Sequence, residues 1–148
     1  MIDRATATQR CRAAKATSGV TYAQLGEAAG THPTWVASAL EGQNPMTAEQ
    51  AVAVGGLLDL DEDTVAALQV VPMRGSLPPG PITDPLIARF QEIVTSYGTT
   101  LKAVIQEEFG DGIMSAIDFR MDVVRKPDPA GDRVVVTLDG KFLPFRVW

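Results

Sequence analysis

Only one cysteine, Cys11, and one histidine, His32, occur in the sequence. This excludes a disulfide framework within the chain and argues against a Cys/His metal site or a Cys-His nucleophilic pair. An unpaired thiol fits a reducing compartment, so a cytoplasmic location is expected. Long hydrophobic runs are also missing. The N-terminal MIDRATATQRCRAAK has no apolar core of signal-peptide length, and the longest apolar run, Ala51 to Leu58, is far too short to span a bilayer. Cations are absent over a long interval: after Arg4, Arg10, Arg12 and Lys15, no Lys or Arg follows until Arg74. Between them stand Glu27, Glu41, Glu49, Asp59, Asp61, Glu62 and Asp63, so the interval is acidic throughout, although the net charge of the whole chain is only -5.

What is present suits one ordinary domain or two small ones. The chain has 148 residues, 45% of them hydrophobic, which is enough for globular cores. Small domains bury a low fraction of their surface, so association between chains would help both halves. A first helix is predicted near Thr6 to Ala16. In TYAQLGEAAGTHPTWVASALEGQ, Thr21 can cap a helix over Tyr22 to Ala29 that Gly30 ends. Thr31 can cap a second helix through Leu40 that Gly42 stops. With Leu25, Ala29, Val36 and Leu40 turned inward, the pair has a helix-turn-helix outline. A DNA reader needs cations for phosphates and base-reading side chains on the second helix. That helix offers His32, Thr34, Trp35 and Ser38 and ends at Glu41, so a helical packing module without nucleic acid is expected. Trp35 reads as a core or interface anchor.

A further helix starts at Thr47 or Pro45 and runs through Leu57, with Ala51, Val54 and Leu58 on its apolar face. LDLDED, from Leu58 to Asp63, opens another helix to Leu68. Acids there complement the helix dipole, and the ligand alternation and glycine bend of a calcium loop are lacking. From Arg74 the sequence turns to RGSLPPGPITDP, whose prolines exclude regular structure and mark a connection. The expected organisation is therefore α+β: an all-helical, helix-turn-helix-like bundle over 1–75, a Pro/Gly-rich linker over 76–83, and a small α+β domain over 84–148.

In that last domain Asp84 before Pro85 is a strong helix start. Leu86, Ile87, Phe90, Ile93 and Val94 then form an apolar stripe that should face a core. Arg89 and Glu92 lie off the stripe at i, i+3 spacing, side by side on one face. Gly98 is read as the stop of this helix, with Thr99 or Thr100 capping a second one, and Gly110-Asp111-Gly112 as the turn that ends it. From Ile117 the period becomes two, with Ile117, Phe119, Met121 and Val123 on one side and Asp118, Arg120 and Asp122 on the other. Pro127 to Asp132 reads as a loop, Arg133 to Leu138 as a second strand, and Asp139-Gly140 as a hairpin turn into KFLPF. Two or three such strands cannot stand alone and need the helices or a second chain to pack on.

The runs RFQE, YGTTLKAVIQEEFGDGIMSAIDF and TLDGKFLP, in this order, closely resemble the C-terminal domain of cyanase, also called cyanate hydratase or cyanate lyase. The likeness covers nearly all of Asp84 to Pro144, and LDLDEDTV and LQVVPMRG extend it more weakly into the first half. One departure is Ser76, where the family usually has a cysteine, which suggests that the thiol is not needed for chemistry. The resemblance implies bicarbonate-dependent decomposition of cyanate to carbon dioxide and carbamate, without a cofactor or metal. It also implies an intertwined dimer and a decamer of five dimers, and a catalytic trio that falls on Arg89, Glu92 and Ser115.

The residues themselves allow plainer roles. An Arg89-Glu92 pair on an anonymous helix is most often a solvated ion pair. Ser115, as a nucleophile, would need a base, and the sequence places none beside it, so binding and orientation is the role expected. Lys102, Thr99 and Thr100 read as capping and surface residues, and Glu107 with Glu108 as a solvated helix end. Tyr97 could line a site or pack at an interface. Two rival functions remain: a helix-turn-helix regulator with a small dimerising domain, and a structural assembly protein whose charged pair is merely interfacial.

Overall fold

The computed structural model describes residues 2–75, 77 and 79–148; Ser76 and Pro78 of the predicted linker lie outside the described residues. The chain divides into two compact units, 1–78 and 79–148. The first holds five helices: α1 (Arg4–Ser18), α2 (Tyr22–Ala28), α3 (Pro33–Leu40), α4 (Ala48–Leu58) and α5 (Glu62–Leu68). Their starts follow local chemistry. Thr21 and Gln24, and again Thr47 and Gln50, form reciprocal capping boxes in which each side chain satisfies the other's backbone amide. Thr47, not Pro45, is thus the cap of α4.

Thr31 does not cap α3. His32 does so, with its Nδ1 accepting from the Thr34 amide at 3.2 Å. The reason is Pro33, which lacks an amide hydrogen and fits the first helical position, so that the cap falls on the residue just before it. The turn between α2 and α3 is tight, since a Cβ at Gly26 would stand 2.8 Å from the Thr31 carbonyl oxygen.

The predicted inward faces form the core: Leu25, Ala29, Val36 and Leu40 are buried with Ala51, Val54 and Leu58, and Cys11, Ala39, Met46 and Leu68 complete the cluster. Trp35 packs against it half-buried. Burial pushes the Cys11 thiol up to about 11, which leaves it protonated and unreactive at neutral pH.

The segregated charges meet across this bundle. Arg10 pairs with Asp61 at 2.6 Å, and Arg12 Nε donates to Glu41 at 2.8 Å. Arg4 donates to the carbonyl oxygens of Ala39 and Asn44, and the Lys15 ammonium lies 4.7 Å from the centre of the Tyr22 ring. The basic residues of α1 are thus engaged by their own chain.

The second unit holds α6 (Pro85–Phe109), β1 (Gly112–Lys126) and β2 (Arg133–Pro144). The predicted break at Gly98 does not occur: α6 is one helix of 25 residues, with Thr99 and Thr100 in its interior. A glycine inside a helix costs only about 1 kcal/mol relative to alanine, too little to stop a helix so well formed on both sides. Gly110, with a φ of 85°, is the residue that closes it. The stripe of Leu86, Phe90, Ile93 and Val94 faces no core of its own chain, because α6 buries none of its residues.

The strands pair antiparallel as one two-stranded ribbon. β1 begins at Gly112 rather than Ile117, because its first residues already pair with Phe142 to Pro144. Asp139-Gly140 makes no turn. Both residues sit in the ladder opposite Arg120 and Phe119, and the reversal is made by the loop between Lys126 and Arg133.

Candidate active site

Asp84 starts α6 as its sequence predicts: the carboxylate accepts from the Ile87 amide at 2.9 Å, and Pro85 takes the first helical position. Within the next turns the helix brings Arg89 and Glu92 together, Nη1 to Oε2 at 2.7 Å. Their side chains are 70% and 56% exposed, and they flank a row of exposed apolar residues, Leu86, Phe90, Ile93 and Tyr97. Lys102, Glu107 and Glu108 are exposed, in keeping with their surface reading, whereas Thr99 and Thr100 cap nothing.

Ser115 is in a different setting. It is 6% exposed and lies where the β ladder is interrupted. Pairing runs from Gly112 to Met114, stops, and resumes at Phe119, so that residues 115–118 bulge opposite the single residue Lys141. The hydroxyl oxygen accepts from the amides of Ile117 and Asp118, each at 3.0 Å. A serine hydroxyl has two lone pairs and one hydrogen. Both lone pairs are used, so what remains is a donor. This polarity suits binding an anion and does not suit nucleophilic attack. Lys141 reaches back over the bulge, its ammonium 3.9 Å from the Asp118 carboxylate.

Arg89 and Ser115 do not meet within the chain. The packing of α6 on the ribbon is at its C-terminal end, where the Phe109 and Phe142 rings lie 5.3 Å apart. At a rise of about 1.5 Å per residue, Arg89 lies about 30 Å back along the helix from Phe109. Among the described residues no hydrogen bond joins Ser115 to Arg89 or Glu92. None of the described residues form a cluster of three or more His, Cys, Asp or Glu side chains able to hold a metal, and no helix among them is long and apolar enough to cross a membrane.

Sequence reasoning named Ser115 through the resemblance but missed the bulge in which its hydroxyl oxygen accepts two amides, and missed Gly140 and Lys141 as its neighbours. The bulge depends on the register of two strands, which no local pattern encodes. The one available signal was the pair of glycines, Gly112 and Gly140, in segments otherwise rich in strand formers.

Comparison with known proteins places both units. The family model described as cyanate lyase C-terminal domain matches residues 79–147, and that described as cyanate hydratase, N-terminal, matches residues 4–72. The cyanate hydratase of Thiobacillus denitrificans is 59% identical over 127 residues, covering 86% of each chain. That of Polynucleobacter asymbioticus is 50% identical over 147 residues, covering 99% of this chain and 100% of its own. The crystal structure of cyanase from T. urticae superposes with a TM-score of 0.81 at 38% identity, over 93% of this chain and 96% of that one. From end to end, then, the chain belongs to the cyanate hydratase family.

Proposed function

We propose that the protein is a cyanate hydratase, a carbon-nitrogen lyase that decomposes cyanate in a bicarbonate-dependent reaction. The products are carbon dioxide and carbamate, and the carbamate falls apart to ammonia and a second carbon dioxide. The observation that carries this reading is the match to cyanate hydratases along both units. The geometry supports it with two anion-binding groups of suitable kind, the Arg89 fork and the Ser115 donor.

Both substrates are anions, so the first task is to hold two negative charges together. Arg89 offers a planar set of donors that can span an oxygen pair. Glu92 holds that guanidinium in place by the ion pair and, close to the nitrogen, affects proton delivery to it. Ser115 gives its one hydrogen to an anion without adding charge. A bicarbonate oxygen attacks the cyanate carbon, and the adduct loses carbon dioxide to leave carbamate. The nitrogen gains two protons, one from bicarbonate and one from solvent. Catalysis is then approximation and electrostatic stabilisation, with bicarbonate as co-substrate and no cofactor or metal.

The separation of Arg89 from Ser115 within one chain supports a site assembled from several copies. We read the assembly as an intertwined dimer repeated five times in a decamer, and its setting as the cytoplasm, where it would serve detoxification of cyanate and use of its nitrogen. The test is ammonia release from cyanate by the purified protein, with bicarbonate present and with it stripped away. Release that needs both anions is the expected result. Release without bicarbonate would mean simple hydrolysis, and no release under either condition would overturn the reading in favour of a scaffold or regulator.

A further inference from the structure

Gly140 belongs to a motif, TLDGKFLP, to which neither the fold nor the chemistry above gives a role. Asp-Gly ordinarily marks a turn because glycine tolerates left-handed backbone. That explanation fails here, since Gly140 lies in a regular ladder position and is not among the glycines of positive φ. Space is the remaining reason. A Cβ at Gly140 would overlap the Ser115 carbonyl oxygen and stand 2.6 Å from Met114 Cγ. The methionine side chain can swing aside; the carbonyl cannot move without taking Ser115 with it.

A second pinch lies just before the bulge. A Cβ at Gly112 would overlap the Leu143 carbonyl oxygen and stand 2.5 Å from the Phe142 ring. The two strands are therefore drawn unusually close over residues 112–115, where the bulge begins. The bulge closes on itself through the Ser115 oxygen and the amides of Ile117 and Asp118.

We propose that Gly140 is a positioning residue for catalysis: its missing side chain lets β2 approach the Ser115 backbone and hold the bulge in the shape that leaves the Ser115 hydroxyl as a donor. This rests on the reading of Ser115 as a substrate-binding group. Gly140 touches no substrate and acts through Ser115 alone.

The test uses the full chain with Gly140→Ala, Ser115→Ala and the double variant. Three quantities are read: kcat and KM for cyanate and for bicarbonate, and hydrogen exchange at single amides. A displacement of a binding group by about 1 Å is enough for losses of the order of 100-fold, so Gly140→Ala should lose about 10- to 100-fold in kcat/KM. The amides of Ile117 and Asp118 should lose protection while the ladder-bonded amides of the regular stretch from Phe119 to Lys126 keep theirs. The double variant should be no worse than Ser115→Ala, because the two changes remove one function.

Activity within twofold of the unmodified protein, or losses that multiply in the double variant, would overturn the proposal. Full activity in Ser115→Ala would instead bring down the reading on which it rests, a distinguishable failure. Should Gly140→Ala not fold, Met114→Ala with Gly140→Ala removes the side-chain half of the clash and leaves the carbonyl half. That variant should fold and remain impaired, and recovery of full activity would refute the role of Gly140.

Discussion

Arg89 and Glu92 stand 2.7 Å apart with much of both side chains in water, and in that state an i, i+3 pair contributes only about 0.2 to 0.5 kcal/mol. In the proposed site, facing two anions away from water, the same guanidinium would act differently, because its donors have a fixed planar arrangement and interactions strengthen as water is excluded. Lysine would keep the charge and lose the fork. Arg89→Lys should therefore retain the melting temperature within about a degree or two while losing at least about 100-fold in kcat/KM, in line with the cost of removing a donor that stabilises developing charge. Steady-state assays at saturating bicarbonate, alongside a thermal melt, give both numbers. Near-normal turnover would remove Arg89 from the central role. Glycine shows how far single residues can be read. Gly110 was legible as a helix stop because the positive φ it adopts is a local property that favours glycine. Gly98 and Gly140 were misread as a stop and a turn because one lies within a helix and the other serves a neighbouring strand.

At the level of elements, the legible features are those that act within a few residues. The Thr21 cap of α2, the Asp84-Pro85 start of α6 and the inward faces of α2, α3 and α4 lie where the sequence puts them, and Thr47 is one of the two starts it offered for α4. The continuity of α6 was misjudged because one interior glycine costs less than the helix on either side supplies, and the course of the ribbon because strand pairing depends on contacts distant in sequence. The acidic run before α5 shows a local signal with a distant partner. Asp61 caps the helix by accepting from the Thr64 amide at 2.7 Å, and it also pairs with Arg10 of α1. The hydrogen bond from the Thr64 amide, helped by the Thr64 hydroxyl and the Arg10 charge, lowers the Asp61 carboxyl below its ordinary value. A depressed carboxylate stabilises the fold above its unfolded pKa of about 3.9 and ceases to do so as pH falls through its lower folded value. Asp61→Ala should therefore lower the melting temperature of the helical unit by about 4 to 8 °C at pH 7. The gap should close as the pH is taken below the folded pKa, as followed by circular dichroism melts from pH 7 to pH 2. A difference that persists undiminished at the acid end would show that the carboxylate charge is not what Asp61 contributes.

For the whole molecule the two units pose opposite problems. The first buries a core of its own, whereas in the second only Ser115 is buried among the described residues. Along α6, Leu86, Phe90, Ile93, Tyr97, Leu101 and Val104 recur at three- and four-residue steps, each 46% exposed or more. A helix with no packed face and a two-stranded ribbon are each marginal in water, so such a unit needs a further surface to pack on, which on the proposed reading is supplied by other copies. The reading of a multi-copy active site then makes assembly and activity one property. Ile93→Glu places a charge in the middle of the apolar row and leaves Arg89, Glu92 and Ser115 intact. Light scattering after size exclusion should show the unmodified chain at a multiple of 15.8 kDa and the variant shifted towards that mass. Cyanate turnover should fall in proportion to the assembled fraction. The helical unit, whose core does not include α6, should keep its melting transition. A variant that stays fully assembled would mean that the stripe is not the contact between copies, and a dispersed variant that still decomposes cyanate would mean that one chain suffices for the chemistry.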